Sequence, residues 1–330
     1  MKRFLILPLI FCLIFTTACL KKKTKDAYAE PKDRSVVMFV GLDEAAMNMD
    51  VICYVSFDSK SNEVAFVQLP RDTYFNFGST QNKVNQLYAF YRKSEDPSIA
   101  LKHATDEIST ALGVSISGYV AITTRGLVSA IDAVGGVDIE VKNDGVFTDE
   151  FGKNPLRLRA GKNHLEGASA VQFIRYRQGY LTGDLGRLDA QKLFFRAALE
   201  KITERPSLDR MLNAYFGAKD EIETDMDLFD VLRMSGAGLK QLSEAKVSYI
   251  TMPGEAIISE SGISYFSLTR ETAKAVCEKY LFSNGFAFDK SERFLKKNEL
   301  GFSNIYYDKN NMYRVYDNDT LTDITVPKKQ

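Results

Sequence analysis

The stretch from Glu63 to Tyr91 limits what this chain can fold into more than any other. Val64 to Leu69 is a strand-forming run, and Pro70, which has no N–H to give to a sheet ladder, stops it. Arg71 and Asp72 follow at once, so charge arrives at the strand's carboxyl end. In open α/β sheets ligands bind in the crevice beyond those ends. A guanidinium there, followed by a polar loop with Lys83 and Asn85, points to an anionic ligand. The plainer reading is a strand end charged for solubility.

The flanking sequence supplies the layers. Val36 to Val40 is continuously apolar, as in a strand covered on both faces, and Gly41-Leu42-Asp43 ends it with a carboxylate. Asp50 opens the next strand, Val51 to Phe57, so Asp43 and Asp50 bracket one short loop. A hard cation such as Mg²⁺ takes one or two carboxylates together with substrate phosphates; two solvated loop acids are the simpler alternative. Ala100 to Leu112 reads as a helix closed by Gly113, and Tyr119 to Ile122 as a strand. Thr124 then caps a helix with Leu127, Val128, Ile131 and Val134 along one face, ending at Gly135-Gly136 before a strand at Val137 to Val141. Strands alternating with helices predict an α/β layered domain with a partly parallel sheet. The glycine pair follows a helix and precedes a strand, the reverse of what a dinucleotide cradle needs.

A second arginine group lies further along. Val171 to Arg177 reads as a strand, which sets Arg175 and Arg177 on one face and Tyr176 on the other. Two guanidiniums on one face call for an anion between them, and a diphosphate matches the planar fork of Arg. Asp184 then stands at the start of a helix with Leu188, Phe195, Ala198 and Leu199 on one side, a natural N-cap position. Arg187 and Gln191 lie one turn apart on that helix.

Composition removes several classes. Lys plus Arg and Asp plus Glu are equal at 43 each, so no global field draws the chain to nucleic acid, and any anion site must be a local cluster. Only two histidines occur, His103 and His164, which disfavours a histidine triad. Cys53 and Cys277 fall in apolar patterns and read as buried small hydrophobes rather than zinc ligands or a disulfide framework.

The first 19 residues read as an export segment. Lys2 and Arg3 precede an apolar run from Phe4 to Phe15, and Thr16-Thr17-Ala18 sets small residues before Cys19. This ending resembles a bacterial lipobox, in which Cys19 would be lipidated and the domain tethered outside the membrane. The alternative is a single uncleaved N-terminal membrane helix, for which Phe4 to Leu20 is barely long enough and the basic Lys21 to Lys25 an awkward outer flank. Residues 20–34 form a polar tether.

Taken in order, Gly-x-Asp at Gly41 to Asp43, Asp50, Pro-Arg-Asp-Thr-Tyr at Pro70 to Tyr74, Lys-Val-Asn at Lys83 to Asn85, Gly-Gly-Val-Asp at Gly135 to Asp138, Arg-Tyr-Arg at Arg175 to Arg177, and Gly-Asp-x-Gly-Arg at Gly183 to Arg187 with Gln191 make a pattern. It resembles the LytR-CpsA-Psr family of bacterial envelope proteins over residues 35–281. The resemblance implies an α/β/α sandwich around a central mixed sheet, with an apolar tunnel for a polyprenyl chain. It also implies a phosphotransferase that moves a glycan from a polyprenyl diphosphate onto a peptidoglycan hydroxyl. On that pattern Asp43 and Asp50 hold Mg²⁺, and Arg71, Arg175, Arg177 and Arg187 neutralise the diphosphate. Asp184 is the candidate base and Gln191 an orienter, while Lys83 and Asn85 contact phosphate or support the loop. The chain departs from the pattern in the Glu44 to Met49 loop, which has no basic residue, and at Ala190, where the family commonly has Arg. Two other readings stay open: a polyprenyl-diphosphate diphosphatase, and a non-catalytic lipid-glycan binder.

Beyond the site, Thr224 to Asp227 resembles a capping box for a helix to Leu242, Val247 to Met252 a strand, and Ala273 to Leu281 a helical core stripe. Residues 282–330 are expected to be a tail or a small β appendage.

Overall fold

The computed structural model describes residues 34–78, 80–149, 151–180, 183–204, 217–226, 241–283, 288, 290–294, 302–306 and 315–327. The export segment with Cys19, the tether before residue 34, and most of the helix expected up to Leu242 lie outside them. In chain order the strands begin with β1 (Arg34–Leu42), β2 (Met49–Asp58), β3 (Glu63–Gln68), β4 (Tyr74–Phe77) and β5 (Thr80–Lys83). Helices α1 (Leu87–Tyr91) and α2 (Pro97–Leu112), strand β6 (Gly118–Ile122) and helix α3 (Thr124–Ala133) follow. Then come β7 (Val137–Val141), β8 (Gly145–Phe147), β9 (Leu156–Leu158), β10 (Gly161–Leu165), α4 (Gly167–Arg175) and α5 (Asp184–Glu204). The remainder supplies β11 (Ile222–Thr224), β12 (Lys246–Thr251), β13 (Gly254–Ser259), β14 (Ser264–Leu268), α6 (Arg270–Tyr280), β15 (Phe302–Tyr306) and β16 (Val315–Tyr316).

Seven strands make the central sheet in the order β11-β6-β1-β2-β3-β12-β16. It is mixed: β1 runs parallel to β6 and β3 parallel to β12, while β1–β2 and β2–β3 are antiparallel. Side chains of a strand alternate between faces, and the core divides accordingly. Val37, Val55, Phe57, Val64 and Phe66 face one core with Ile131 of α3, Phe173 of α4 and Phe195 of α5. Val36, Met38, Val40, Tyr54 and Val67 face the other with Leu101 and Ile108 of α2 and Val276 of α6. Both strand faces are therefore dry, which is why β1 reads as an unbroken apolar run. The result is the expected α/β/α sandwich, and Cys53 and Cys277 are buried free thiols within it.

Two expectations need correction. Val171 to Arg177 is not a strand: Gly167–Arg175 is helix α4, whose Ala170, Val171, Phe173 and Ile174 are buried at helical spacing. Arg175 is its last residue and Arg177 lies exposed beyond it, so the two arginines do not share a strand face. Nor do all the described residues after Phe282 stand apart from the domain. β16 pairs with β12 as an edge of the central sheet, and Leu321, Ile324 and Val326 join the core under α4 and α5. The lysine-to-tyrosine contact of Lys192 over the Tyr316 ring, at 5.1 Å, and the two bonds between Asn143 and the backbone of Val326 hold this segment down.

Candidate active site

β3 ends at Gln68, and Leu69-Pro70 carries the chain out of the sheet into a turn in which Thr73 N–H and Thr73 Oγ1 both donate to Pro70 O. Arg71 is thereby presented at the sheet's carboxyl end. Its Nη1 donates to Asp50 Oδ1 at the start of β2, and its Nε stands 3.4 Å from Asp184 Oδ1. Asp184 is the first residue of α5 rather than the cap before it. A carboxylate there is favoured by the helix dipole, but this one is shared: Arg187 Nη2 lies 3.0 Å from Asp184 Oδ1, and also donates to Asp50 O at 3.4 Å. Arg71, Asp50, Asp184 and Arg187 thus form one interlocked cluster drawn from three elements.

The two guanidiniums differ. Burial disfavours the charge on Arg71, yet the Asp184 and Asp50 carboxylates outweigh it and raise the pKa. Arg187 is the more enclosed, with its side chain 3% exposed. Burial holds its pKa below the ordinary value despite Asp184, and the Arg71 charge adds to the depression. Three atoms of the cluster, Arg71 Nε, Arg187 Nε and Asp184 Oδ1, are buried without a hydrogen bond of good geometry. Donors left in this state cost free energy unless a ligand supplies acceptors.

Beside the cluster lies an open pocket of about 520 Å³, counting its mouth. Arg175, Arg187 and Asp50 stand on its polar side; Phe39, Leu42, Leu127, Ile174, Phe194 and Phe195 are among its apolar walls. The described residues form this pocket without showing the apolar tunnel that the resemblance implies. Arg175 also faces Glu44 across the β1–β2 loop at 3.6 Å.

The remaining candidates sit as follows. Gln191 lines the pocket but is 1% exposed and held at both ends of its amide: its Nε2 donates to Ile174 O and its Oε1 accepts from Gln68 Nε2. Arg177 is exposed past the end of α4. Lys83 pairs with Asp72 at 3.0 Å and Asn85 N–H donates to Arg71 O, so both support the Arg71 loop rather than the pocket wall. Asp43 turns its carboxylate into its own loop, accepting from Met47 N–H, Asn48 N–H and Asn48 Nδ2. Among the described residues there is no group of three or more His, Cys, Asp or Glu placed to hold a metal. Sequence reasoning missed Gln68, Glu44 and the α3 cap, where Thr123 rather than Thr124 accepts from Gly126 N–H.

The comparisons with known proteins agree with this architecture. The LytR_cpsA_psr family model matches residues 16–280, and the chain belongs to that family. A relative from Oceanobacillus iheyensis, named "Polyisoprenyl-teichoic acid--peptidoglycan teichoic acid transferase TagU", is 26% identical over 264 residues, 78% of either chain. A TagU of Bacillus mycoides is 28% identical over 238 residues, covering 70% of this chain and 72% of its own length. Among solved structures, Bacillus subtilis TagV superposes with a TM-score of 0.63 at 19% identity, covering 78% of this chain and 98% of its own. TagT bound to LI-WTA gives 0.60 at 19% identity, covering 82% and 97%. These likenesses place the fold.

Proposed function

We propose that this protein transfers a glycan phosphate from a polyprenyl-diphosphate carrier to a peptidoglycan hydroxyl on the outer side of the cytoplasmic membrane. The observation that carries the reading is the join between an apolar pocket and a guanidinium cluster with unsatisfied donors. A polyprenyl diphosphate has the same two-part chemistry. Burying each methylene is worth about 0.8 kcal/mol, so partial enclosure of the lipid would dominate capture, while the arginines meet the head group. The names of the TagU relatives support this class of reaction.

In the transfer, the acceptor hydroxyl oxygen attacks the phosphorus next to the glycan and the bond to the distal, lipid-bearing phosphate breaks. Polyprenyl phosphate leaves with the bonding electrons. The acceptor proton passes to Asp184, whose carboxylate is released from Arg71 and Arg187 as these turn to the phosphoryl oxygens. Arg175 neutralises charge at the pocket mouth, and Arg177 is assigned to the outer part of the head group. An ionised carboxylate offers about four acceptor sites; Asp43 uses three and Asp50 has one ion pair, so both retain capacity for a cation. We assign the pair to Mg²⁺ completed by substrate oxygens, which when bound would supply charge neutralisation on the diphosphate. Lipidation of Cys19 would hold the domain at the membrane face where such a carrier resides.

The test is incubation with a defined polyprenyl-diphosphate sugar, with and without Mg²⁺ and a peptidoglycan acceptor. Release of polyprenyl monophosphate that needs Mg²⁺ and rises with acceptor is expected. Arg71→Ala should slow turnover by roughly a hundred- to a thousandfold, as for loss of one preorganised donor. Tight lipid binding with no turnover under any condition would mark a non-catalytic binder, and release that ignores acceptor would mark a diphosphatase.

A further inference from the structure

Gln68 is a polar residue in the otherwise apolar end of β3, and it is 0% exposed. Its Nε2 donates to Leu188 O at 3.2 Å and to Gln191 Oε1 at 3.1 Å, and its Oε1 accepts from Thr251 Oγ1 at 3.4 Å. The amide orientations are forced. Ile174 O can only accept, so Gln191 must turn Nε2 toward it, which leaves Gln191 Oε1 for an N–H of Gln68. Leu188 O, also only an acceptor, imposes the same orientation on Gln68. The amide pair is therefore a directed chain running from Gln68 through Gln191 to Ile174.

Each of its anchor points borders a site arginine. Leu188 follows Arg187 and Ile174 precedes Arg175, while Gln68 lies three residues before Arg71 on the strand that delivers it. Ile174 O belongs to the last turn of α4, where carbonyls lack helical partners, so Gln191 also closes that helix end. We infer that Gln68 is a positioning residue for phosphoryl transfer. Through Leu188 and Gln191 it locks β3, α4 and α5 together and sets the relative placement of Arg71, Arg175 and Arg187, with no contact to substrate. Gln191 on this account is a brace for α4 rather than a group that touches phosphate.

The inference rests on the transfer reading for its kinetic consequence, but its structural core can be read without substrate. Gln68→Met preserves length and apolar fit while removing both donors. Hydrogen exchange of the 183–195 segment should quicken at least tenfold in the variant. Unchanged exchange there would overturn the proposal even if the protein proved to have no transferase activity. With the polyprenyl-diphosphate sugar, kcat should fall about tenfold to a hundredfold while KM moves little, because misplaced donors cost more in the transition state than in capture. Gln68→Met combined with Gln191→Leu should be no slower than the worse single variant, since both cut one chain. A merely structural role would instead scale activity with lost stability and give additive losses. Wild-type kcat in Gln68→Met with the fold intact would likewise overturn the inference.

Should Gln68→Met fold poorly, Thr251→Val offers a milder cut. It removes the donor to Gln68 Oε1 and loosens the amide without touching α5. It is expected to give a smaller kcat loss in the same direction, and a normal kcat with faster 183–195 exchange would again sink the positioning role.

Discussion

Arg187 and Arg71 meet the same carboxylate from different solvation states. Arg187 is the poorly solvated charge, buried except where it borders the pocket, whereas Arg71 draws support from two acids at the rim. An incoming diphosphate gains more from the former, because a desolvated donor has no water to give up. Charge also governs stability at the far end of β1 and β2. Asp58 lies opposite Arg34 in the register; burial works to raise its pKa, but the bond from Arg34 at 2.7 Å and the N–H groups of Ser61 and Lys60 lower it on balance. A carboxylate with a depressed folded-state pKa contributes stability that is complete above the unfolded value of about 4 and is lost as pH falls through the folded value. Urea titrations of the wild type and Asp58→Asn should therefore differ by about 1 kcal/mol at pH 7, a gap that narrows as pH falls below about 4. A gap that persists unchanged at pH 2.5 would show that shape rather than charge sets the cost. Asp50, Arg71 and Asp184 could be picked out one by one because each is a charge at an element boundary. Gln68 was visible as an isolated amide in a buried strand, but its partners lie more than a hundred positions away and no local pattern points to them.

Among the elements, the first turn of α5 bears most of the site's geometry. Gly186 is packed so closely that a Cβ there would stand 2.4 Å from ring atoms of Tyr180. Tyr180 cannot retreat easily, since it sits against Tyr176, and Tyr176 against Phe147. Ala is the better helix former by up to about 1 kcal/mol, but overpacking costs roughly 1–3 kcal/mol. Gly186→Ala should thus lower Tm by several degrees and displace Arg187; an unchanged Tm in calorimetry would mean that this turn is looser than it looks. The inner strands and larger helices were readable from sequence, because β1, β3, α2 and α3 carry clean apolar periods or glycine stops, whereas short strands such as β4, β5, β8, β9, β13 and β14 carry no such signal. Among the helices, α4 was misread. Val171 to Arg177 mixes apolar and polar residues over a span too short to separate a period of two from one of 3.6, and only burial of Ala170 and Ile174 beside α5 decides between them.

On the scale of the whole molecule, the C-terminal segment is part of the core although its sequence has no periodic signal. Val315–Tyr316 is too short to register as a strand, and what fixes it is long-range: pairing with β12, the Lys142–Asp323 contact at 2.9 Å, and Val146 N–H donating to Pro327 O. Leu321 is 0% exposed, so Leu321→Ala should cost about 2–5 kcal/mol and depress Tm well beyond what a detached appendage would allow. Thermal denaturation within about 2 °C of wild type would place the segment outside the cooperative unit. The same pairing sets a timetable for biosynthesis. Val37 on β1 and Val326, nearly three hundred positions further on, share one core, so that core cannot close before the later residue has been made. At about 5–20 residues per second, β1 waits on the order of 15–60 s for these partners. A product that breaks off before Leu321 lacks those partners and is open to proteolysis.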